Sequence, residues 1–224
     1  MQRALDEVSL KRRGIVFVVS APSGAGKTTL VEQLVGDMSD MVRSRSYTSR
    51  KPRPNERHQV DYCFISEQQF KEMAAEGLFV EWAEVFGNFY GTSVADVEAQ
   101  LTAGVDVVLV IDVQGADQVR ESGFEVVTIF VLPPSMAVLR ERLSSRAETD
   151  GEVTDVSHRL DAAKREVEAS GRYDYILVND EYQSCLERLR SIVIGSRAKV
   201  QFMETQRSSI VATFRMQSEL EVEK

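Results

Sequence analysis

Apolar residues occur along the 224-residue chain in two alternating patterns. In the first, a run of strand length is apolar at nearly every position and rich in β-branched residues; the runs are IVFVVS (15–20), VDVVLVID (105–112), EVVTIFVLPP (125–134) and YDYILVND (173–180). In the second, which follows each run, apolar residues recur at helical spacing, in KTTLVEQLVGDM, QGADQVRES, SMAVLRERLSSR and EYQSCLERLRSIV. Runs that are apolar throughout are typical of strands buried on both faces. Their alternation with helices predicts an α/β fold with a doubly wound parallel sheet.

The pattern changes between residues 42 and 93. This segment contains prolines at 52 and 54, the short run YCFIS, and a helical EQQFKEMAAEG whose Ser66-x-x-Gln69 start predicts a capping box. LFVEWAEVFGNFYGTS follows. We interpret the segment as a small mixed-β subdomain inserted into the sheet.

Two further segments depart from the strand–helix alternation. RAETDGEVTD (146–155) joins two arginine-bearing helices and has almost nothing apolar to bury, which is typical of segments that move. From Val200 onward, weak helical signals predict a helical extension that frays into a tail.

Composition places the chain among ordinary globular proteins, with 43% hydrophobic and 28% charged residues. Its length predicts one core with an inserted subdomain. Neither an apolar run of about 18 residues nor an N-terminal apolar signal region is found, so we expect a cytoplasmic protein without membrane partners. Two separated cysteines and two histidines give little support to a disulfide framework or a zinc site. A net charge of −8 argues against a general nucleic-acid surface.

The stretch APSGAGKTTL (21–30) carries the strongest chemical signal. Gly26, Lys27 and Thr28 match the end of the phosphate-loop pattern G-x-x-x-x-G-K-[ST], while Ala21 stands at its first glycine. Gly24 and Gly26 allow backbone N–H groups to turn toward phosphates at the start of a helix. Lys27 supplies positive charge, and the Thr28 hydroxyl can bind Mg²⁺. A glycine-rich turn without a ligand is the alternative, but the position between a buried strand and an amphipathic helix favours phosphate binding.

Asp112 closes the second apolar run. An acidic residue at the end of a strand beside a phosphate loop is a candidate for the Mg²⁺ site. The alternative is a helix N-cap for QGADQVRES, and the two roles are compatible.

Arginines concentrate in RSRSYTSRKPRPNER (43–57) and LRERLSSRAE (139–148) within an acidic chain, which suits a small anionic ligand. A phosphate monoester acceptor, with a second pKa of about 6, is already ionised near pH 7 and needs no general base. Arginines would then position two polyanionic nucleotides and neutralise their charge. The alternative for each residue is a solvated helix face with i, i+4 partners. The candidates are Arg50, Arg53, Arg142, Arg146 and Arg159.

From about Gly14 to about Ala198 the chain closely resembles the guanylate kinase family. The resemblance is carried, in order, by SAPSGAGKTT, YTSRKPRPNE, VEWAEVFGNFYGTS, VIDVQG, LPPSMAVLRERLSSR and ILVND. The R-x-P-R-x-x-E and E-W-A-E…G-N-x-Y-G-T-S segments are more specific than the phosphate loop. The resemblance implies ATP-dependent phosphorylation of GMP, and of dGMP, to the diphosphate by direct in-line transfer with Mg²⁺, in purine nucleotide metabolism.

The resemblance also implies how the chain is divided. It consists of a phosphate-loop core, an inserted mixed-β GMP-binding subdomain and a helical lid. The implied ranges are 14–41, 94–138 and 161–198 for the core, 42–93 for the GMP-binding subdomain, and 139–160 for the lid, with an N-terminal segment 1–13 and a C-terminal extension 199–224. Both a monomer and a homo-oligomer are compatible with the sequence.

The site residues implied by the resemblance fall into four groups. Those for GMP are Ser46, Arg50, Arg53, Tyr62, Glu81, Tyr90, Thr92 and Asp112. Those for ATP are Ala21, Pro22, Ser23, Gly24, Ala25, Gly26, Lys27, Thr28, Thr29 and, near the adenine, Asn179. Those for Mg²⁺ are Thr28 and Asp112. Those for catalysis are Lys27, Arg50, Arg142, Arg146 and Arg159.

The chemistry of guanine agrees with a role for Glu81. Guanine presents N1–H and N2–H₂ donors side by side, and one carboxylate accepts both, whereas adenine would leave it poorly paired. Buried hydrogen-bonding groups can discriminate by about 10⁴-fold. Without the resemblance, Glu81 is equally an edge-strand charge, and Tyr62 and Tyr90 are core aromatics with wet hydroxyls.

Two positions depart from the family pattern. Val110 stands where the family usually has an acidic residue, and Ala147 replaces a lid glycine. Two other functions stay open: a phosphate-loop kinase for another acceptor, and a non-catalytic protein-interaction domain. The set of Ser46, Glu81 and Thr92 argues against the first, and the intact Lys27 and Thr28 against the second.

Overall fold

The computed structural model describes residues 12–85, 87–150 and 156–222, without the side chains of residues 146–150 and 216–222. Its strands are β1 (Val16–Ser20), β2 (Met41–Arg43), β3 (Tyr47–Thr48), β4 (Cys63–Phe64), β5 (Phe79–Val85), β6 (Asn88–Ser93), β7 (Asp106–Val110), β8 (Val126–Leu132) and β9 (Tyr175–Val178). Its helices are α1 (Lys27–Asp37), α2 (Glu67–Ala75), α3 (Val94–Thr102), α4 (Val113–Glu121), α5 (Met136–Asp150), α6 (Val156–Glu168), α7 (Tyr182–Arg197) and α8 (Val200–Val222).

The main sheet contains five parallel strands in the order β2-β7-β1-β8-β9. The four apolar runs of the sequence form β7, β1, β8 and β9, so the predicted doubly wound parallel sheet is confirmed. Side chains alternate along β1: Phe17 and Val19 join a core cluster with α1 and α7, while Val16 and Val18 join one with α3 and α4. Helices on both faces therefore explain why the run is apolar throughout.

The inserted segment forms a second sheet with the order β4-β3-β6-β5. β3 pairs in parallel with β4 and antiparallel with β6, so the sheet is mixed, as the sequence predicts. β2 pairs with β7 of the main sheet instead, and the Ser44 N–H continues this pairing to Val108. The main sheet thus extends to Arg43, past the predicted start of the insertion at residue 42.

Predicted helix caps are present at two of these elements. Ser66 and Gln69 form the capping box of α2, with both reciprocal hydrogen bonds. Asp112 caps α4 by accepting from the Gly115 N–H at 2.9 Å. The C-terminal extension forms the single helix α8, unbroken to Val222, where the sequence predicted a fraying tail. No helix among the described residues is long and apolar enough to cross a membrane.

A buried ion cluster fastens both ends of the domain to the main sheet. The carboxylate of Asp106, at the start of β7, is fully buried and accepts from Arg12 at 2.5 Å and from Arg197 at 2.7 Å. It also accepts from the Ile15 N–H at 2.8 Å. Arg12 and Arg197 contact Asp40 as well. One carboxylate therefore joins the chain before β1 to the end of α7.

Replacement of Asp106 by Ala is expected to lower the free energy of unfolding by about 3–5 kcal/mol, because two largely buried guanidinium groups lose their carboxylate. Urea unfolding followed by circular dichroism measures this loss. Asp161→Ala is the matched control: it removes an exposed ion pair with Lys164, which should change the free energy of unfolding far less. Equal losses in the two variants would contradict the assignment.

Candidate active site

The strand order places a crevice at the carboxyl end of β1. After β1 the chain runs through α1 to β2, at one edge of the sheet. After β7 it crosses to the other side of β1 and forms β8. The carboxyl end of β1 is therefore a topological switch point, where α/β sheets commonly bind ligands. β5 of the mixed sheet packs against α4, and the Trp82 backbone exchanges two hydrogen bonds with the Gln118 side chain. The mixed sheet is therefore held over the crevice.

The phosphate loop connects β1 to α1. Gly24 and Gly26 have φ angles of 85° and 89°, in the left-handed region that glycine adopts without strain. A Cβ at Gly26 would lie 2.5 Å from the Asn179 Nδ2 atom. Ala21, at the position of the pattern's first glycine, is buried and does not have a positive φ, so alanine fits there without strain.

Lys27 begins α1 and directs its ammonium toward the end of β7. Nζ donates to the Ile111 carbonyl at 3.3 Å. Burial lowers the pKa of Lys27, although the carboxylates of Glu166 and Asp112 act to raise it. This desolvated cation is matched to an anionic ligand that would replace the weak carbonyl contact.

Asn179 ties the phosphate loop to two other elements. Its side chain is buried, and Nδ2 donates to the Ala25 carbonyl at 2.7 Å. Its backbone N–H continues the sheet to Leu132, and its carbonyl accepts from Arg142 of α5 at 3.2 Å. The carboxamide predicted to lie near the adenine is thus committed to the phosphate loop.

A cavity of about 470 Å³ opens between the two sheets. Its walls include charged, hydroxyl-bearing and apolar side chains. Among the residues predicted from the sequence, Ser46, Tyr62, Glu81, Tyr90 and Asp112 line it. Residues not predicted as ligands also contribute; they are Arg43, Ser44, Arg45, Glu56, Val60, Asp61, Ala83, Val85, Val110 and Ile111.

Glu81 lies on β5, an edge strand, yet is only 6% exposed. It pairs with Thr92 just after a register shift in the strand, an irregularity of the kind that redirects a side chain. Thr92 Oγ1 donates to its Oε1 at 2.6 Å. Burial raises the pKa of Glu81 to about 7, and Asp112 contributes in the same direction. Glu81 is therefore an edge-strand residue, as the alternative has it, but it is buried and not solvated.

Glycine at position 115 makes room for this carboxylate. A Cβ there would lie 3.1 Å from Glu81 Oε2, and the Gly115 N–H is held by Asp112. The first turn of α4 thus contacts the base-binding candidate and carries the metal-binding candidate.

Arg50 packs beside Tyr62, which lines the cavity. Arg50 makes a two-pronged ion pair with Glu56, at 2.7 and 2.9 Å, and its guanidinium lies 5.1 Å from the centre of the Tyr62 ring. Arg50 lowers the pKa of Glu56 to about 2. The Tyr62 and Tyr90 rings meet edge to face at 6.2 Å, partly buried at the cavity wall. The Arg53 side chain is exposed, while its N–H donates to Glu56.

Thr28 and Asp112 provide a hydroxyl and a carboxylate, the hard oxygen ligands that suit Mg²⁺. Thr28 is exposed in the first turn of α1, and one Asp112 oxygen is used by the α4 cap. Within the described ranges, no group of three or more His, Cys, Asp or Glu side chains is arranged to hold a metal. A cation here would therefore depend on ligand phosphates for most of its coordination.

The candidate lid arginines are only partly covered by the structure. Arg142 of α5 contacts the Asn179 carbonyl, and Arg159 is partly buried on α6. The side chains of Arg146 and Ala147, and residues 151–155 of the predicted polar break, lie outside the described part of the chain.

Comparison with known proteins decides the family. The family model described as guanylate kinase matches residues 12–195. The chain belongs to the guanylate kinase family. Its match to the guanylate kinase of Geobacter metallireducens is 45% identical over 190 residues, 85% of this chain and 93% of the relative. The match to that of Hahella chejuensis is 46% identical over 188 residues, 84% and 89% of the two chains.

The family assignment extends to the fold. The crystal structure of guanylate kinase from Anaplasma phagocytophilum matches with a TM-score of 0.68 and 33% identity, over 86% of this chain and 91% of that one. The resemblance identified from the sequence is thus confirmed. The chain is a nucleotide-binding enzyme, a transferase of the guanylate kinase class.

Three residues of this guanylate kinase family member were not predicted as functional. Glu56 orients Arg50, and the R-x-P-R-x-x-E spacing was the signal that pointed to it. Gly115 admits the Glu81 carboxylate, and it lies in the VIDVQG segment. Glu166 of α6 faces Lys27 and Asp112, and burial raises its pKa. No local motif marks Glu166, because only the packing of α6 brings it to the phosphate loop.

Proposed function

We propose that the chain transfers the terminal phosphoryl group of ATP to GMP or dGMP by direct in-line displacement with Mg²⁺, as a step of purine nucleotide metabolism. The observation that carries this proposal is the buried Glu81 carboxylate, bonded to Thr92, in a cavity that leads to Asp112 and Lys27. A base-binding group and a phosphate loop therefore share one crevice.

GMP would occupy the cavity of the mixed sheet, which makes residues 42–93 the GMP-binding subdomain. Glu81 accepts the N1–H and N2–H₂ donors of guanine, with Ser46 and Thr92 beside it. Arg50, held by Glu56, faces the acceptor phosphate together with Tyr62. The residues proposed for this phosphate are Arg50, Arg53, Tyr62 and Tyr90.

ATP would bind with its phosphates on the loop of residues 21–29. Backbone N–H groups at the start of α1 and the Lys27 ammonium face these phosphates. Thr28 and Asp112 would hold Mg²⁺, which would supply positive charge to offset that of the phosphates. Because the acceptor is ionised near pH 7, its oxygen attacks the terminal phosphorus directly and the bond to the bridging oxygen breaks. Residues 139–160 would close as a lid that brings Arg142, Arg146 and Arg159 to the transferred group and excludes water.

Asn179 would act on ATP through the phosphate loop. Loss of a buried amide–carbonyl hydrogen bond costs about 1–3 kcal/mol, so Asn179→Leu is expected to raise KM for ATP about tenfold. KM for GMP should change much less. Asn179→Asp keeps the shape but replaces the amide donor facing the Ala25 carbonyl with an acceptor, and should be at least as impaired. Steady-state kinetics on both variants measures this, and an Asp variant with wild-type KM for ATP would contradict it.

ADP formation from Mg-ATP by the purified protein tests the function itself. The acceptors are GMP, dGMP, AMP, CMP and UMP, with a control that lacks an acceptor. Stimulation by GMP and dGMP alone is expected, and would show that Val110 is tolerated. Stimulation by a different acceptor would overturn the guanine pocket, and no stimulation at all would overturn the kinase proposal.

A further inference from the structure

The turn formed by residues 57–62 contains an unusual backbone conformation. Among the non-glycine residues that the structure describes, only Gln59 has a positive φ angle, 62°. This is the left-handed region, which residues other than glycine rarely adopt. The Gln59 side chain is exposed, so packing of that side chain does not hold the conformation. Contacts of the backbone must hold it instead.

Both peptide groups that flank the Gln59 α-carbon are hydrogen-bonded. Its N–H donates to the Tyr62 carbonyl at 2.8 Å, within the turn. Its carbonyl accepts from Nη1 of Arg45, a residue outside the turn. Because one contact restrains the peptide on each side of the α-carbon, together they fix the φ and ψ angles of Gln59. Arg45 thus supplies the half of the restraint that lies outside the turn.

Arg45 lies on the segment that joins the main sheet to the mixed sheet. On one side of it, the Ser44 N–H donates to the Val108 carbonyl of the main sheet at 2.9 Å. On the other side, the Ser46 carbonyl accepts from the Cys63 N–H at 3.0 Å. The backbone around Arg45 is therefore fixed on both sides, and its guanidinium ties the turn to this fixed segment.

The turn presents Tyr62 to the cavity proposed for GMP. Val60, Asp61 and Tyr62 all line that cavity, and the Arg50 guanidinium lies over the Tyr62 ring. The Tyr62 carbonyl is the group that accepts from the Gln59 N–H. A change in the Gln59 backbone would therefore shift the backbone that carries the Tyr62 ring.

We infer that Arg45 is a positioning residue for the acceptor nucleotide: through the Gln59 carbonyl it holds the 57–62 turn and so places Tyr62 beside the phosphate of GMP. The inference rests on the proposed function and extends it to a residue outside the predicted site. Without the Arg45 contact the turn samples other conformations, and only a fraction of the molecules can bind GMP productively. This raises KM for GMP in proportion, while bound GMP selects the competent turn and leaves kcat unchanged.

A double-mutant cycle at positions 45 and 59, read by steady-state ADP formation, tests this inference. Arg45→Ala should raise KM for GMP at least about fivefold and leave kcat and KM for ATP within about twofold of the wild-type values. Gln59→Gly alone should keep all three constants within about twofold, because glycine adopts a positive φ angle without strain. In the Gln59→Gly background, Arg45→Ala should then raise KM for GMP less than about twofold.

Arg57→Ala is the matched control. Arg57 is exposed on the same turn, so the variant removes a positive charge there and leaves the contact from Arg45 to Gln59 in place. Its KM for GMP should stay within about twofold of the wild-type value, because exposed charges are screened by salt. An equal rise in KM for Arg45→Ala and Arg57→Ala would assign the effect to charge and overturn the inference.

Hydrogen exchange measured without nucleotide separates this inference from the proposed function. Arg45→Ala should speed exchange of the backbone amides of residues 59–64 at least about threefold, because the turn opens more often. In the Gln59→Gly background it should not. Unchanged exchange after Arg45→Ala would overturn the inference even in an enzyme that phosphorylates GMP. A wild-type chain without GMP-dependent ADP formation would overturn the proposed function, and exchange would then decide whether Arg45 holds the turn.

Two kinetic results would also overturn the inference. One is a wild-type KM for GMP after Arg45→Ala. The other is a double variant as impaired as Arg45→Ala alone, which would mean that the guanidinium binds the nucleotide directly and does not act through Gln59.

Discussion

Replacement of Lys27 by Ala is expected to lower kcat for phosphoryl transfer at least about 100-fold, the usual effect of removing one fixed donor from a site of developing charge. The structure gives the reason: Lys27 is partly buried at the phosphate loop, burial lowers its pKa, and its ammonium makes a long contact with the Ile111 carbonyl that a phosphate oxygen would replace. Coupled measurement of ADP formation with saturating ATP and GMP gives the change in kcat.

The Lys27→Ala substitution should not destabilise the folded state. A desolvated cation costs free energy in the folded state, so its removal should leave the midpoint of thermal unfolding unchanged or raise it. Lys71→Ala is the matched control, because Lys71 lies exposed on α2 and pairs with Glu67 one turn away. Its kcat should equal that of the wild type. A Lys27→Ala enzyme with near wild-type kcat would remove the phosphate loop from the mechanism.

Replacement of Glu81 by Gln is expected to lower kcat/KM for GMP by about 10²–10⁴-fold, because the new amide donor would face the N1–H and N2–H₂ donors of guanine. KM for ATP should stay within about twofold of the wild-type value, because Glu81 is not among the residues proposed to bind ATP. Competition between GMP and AMP measures the loss of selectivity. Glu84→Gln, an exposed residue of the same strand, is the control.

The raised pKa of Glu81 adds a pH dependence. In the free enzyme this pKa is about 7, so the carboxyl group is largely protonated below that pH and cannot accept from guanine. We expect kcat/KM for GMP to rise with pH through about 7. Folding responds in the opposite sense: a folded-state pKa above the unfolded value makes stability fall as pH rises from about 4.5 to 7.

Glu81→Gln should remove both effects. The remaining dependence of kcat/KM on pH would then follow the acceptor phosphate, with a pKa of about 6. If the wild-type enzyme and the Glu81→Gln variant had the same pH profile and the same preference for GMP, the guanine pocket would lie elsewhere.

The sequence predicts best where a local pattern determines the structure. Four apolar runs give four strands of the main sheet, and Ser66 and Asp112 cap α2 and α4 as their positions predict. β2 has only three residues, Met41–Arg43, so no periodicity can mark it. Its membership of the main sheet comes from pairing with β7, more than sixty residues later in the chain.

The candidate site shows the same division. The phosphate loop is a local motif and is readable from ten residues. The burial of Glu81 cannot be read from a local motif, because the side chains of an edge strand are ordinarily solvated. Here α4 packs over β5 and covers the Glu81 side chain. The bond from Asn179 to Ala25 joins residues 154 apart, and Glu166 reaches Lys27 through the position of α6. Such contacts depend on tertiary structure that neither spacing nor composition encodes.

The close fit between Gly115 and Glu81 limits how this enzyme could be re-engineered. Any side chain added at position 115 would crowd the Glu81 carboxylate and strain the hydrogen bond from the backbone N–H of residue 115 to Asp112. A substitution there, made to alter recognition of the base, would therefore also disturb the proposed phosphate and Mg²⁺ site. A redesign of acceptor preference therefore has to start elsewhere on the cavity wall. Ala83 and Val110 line the cavity with apolar side chains that hold no hydrogen-bonding group, and they are the positions where new selectivity can be introduced at least risk to catalysis.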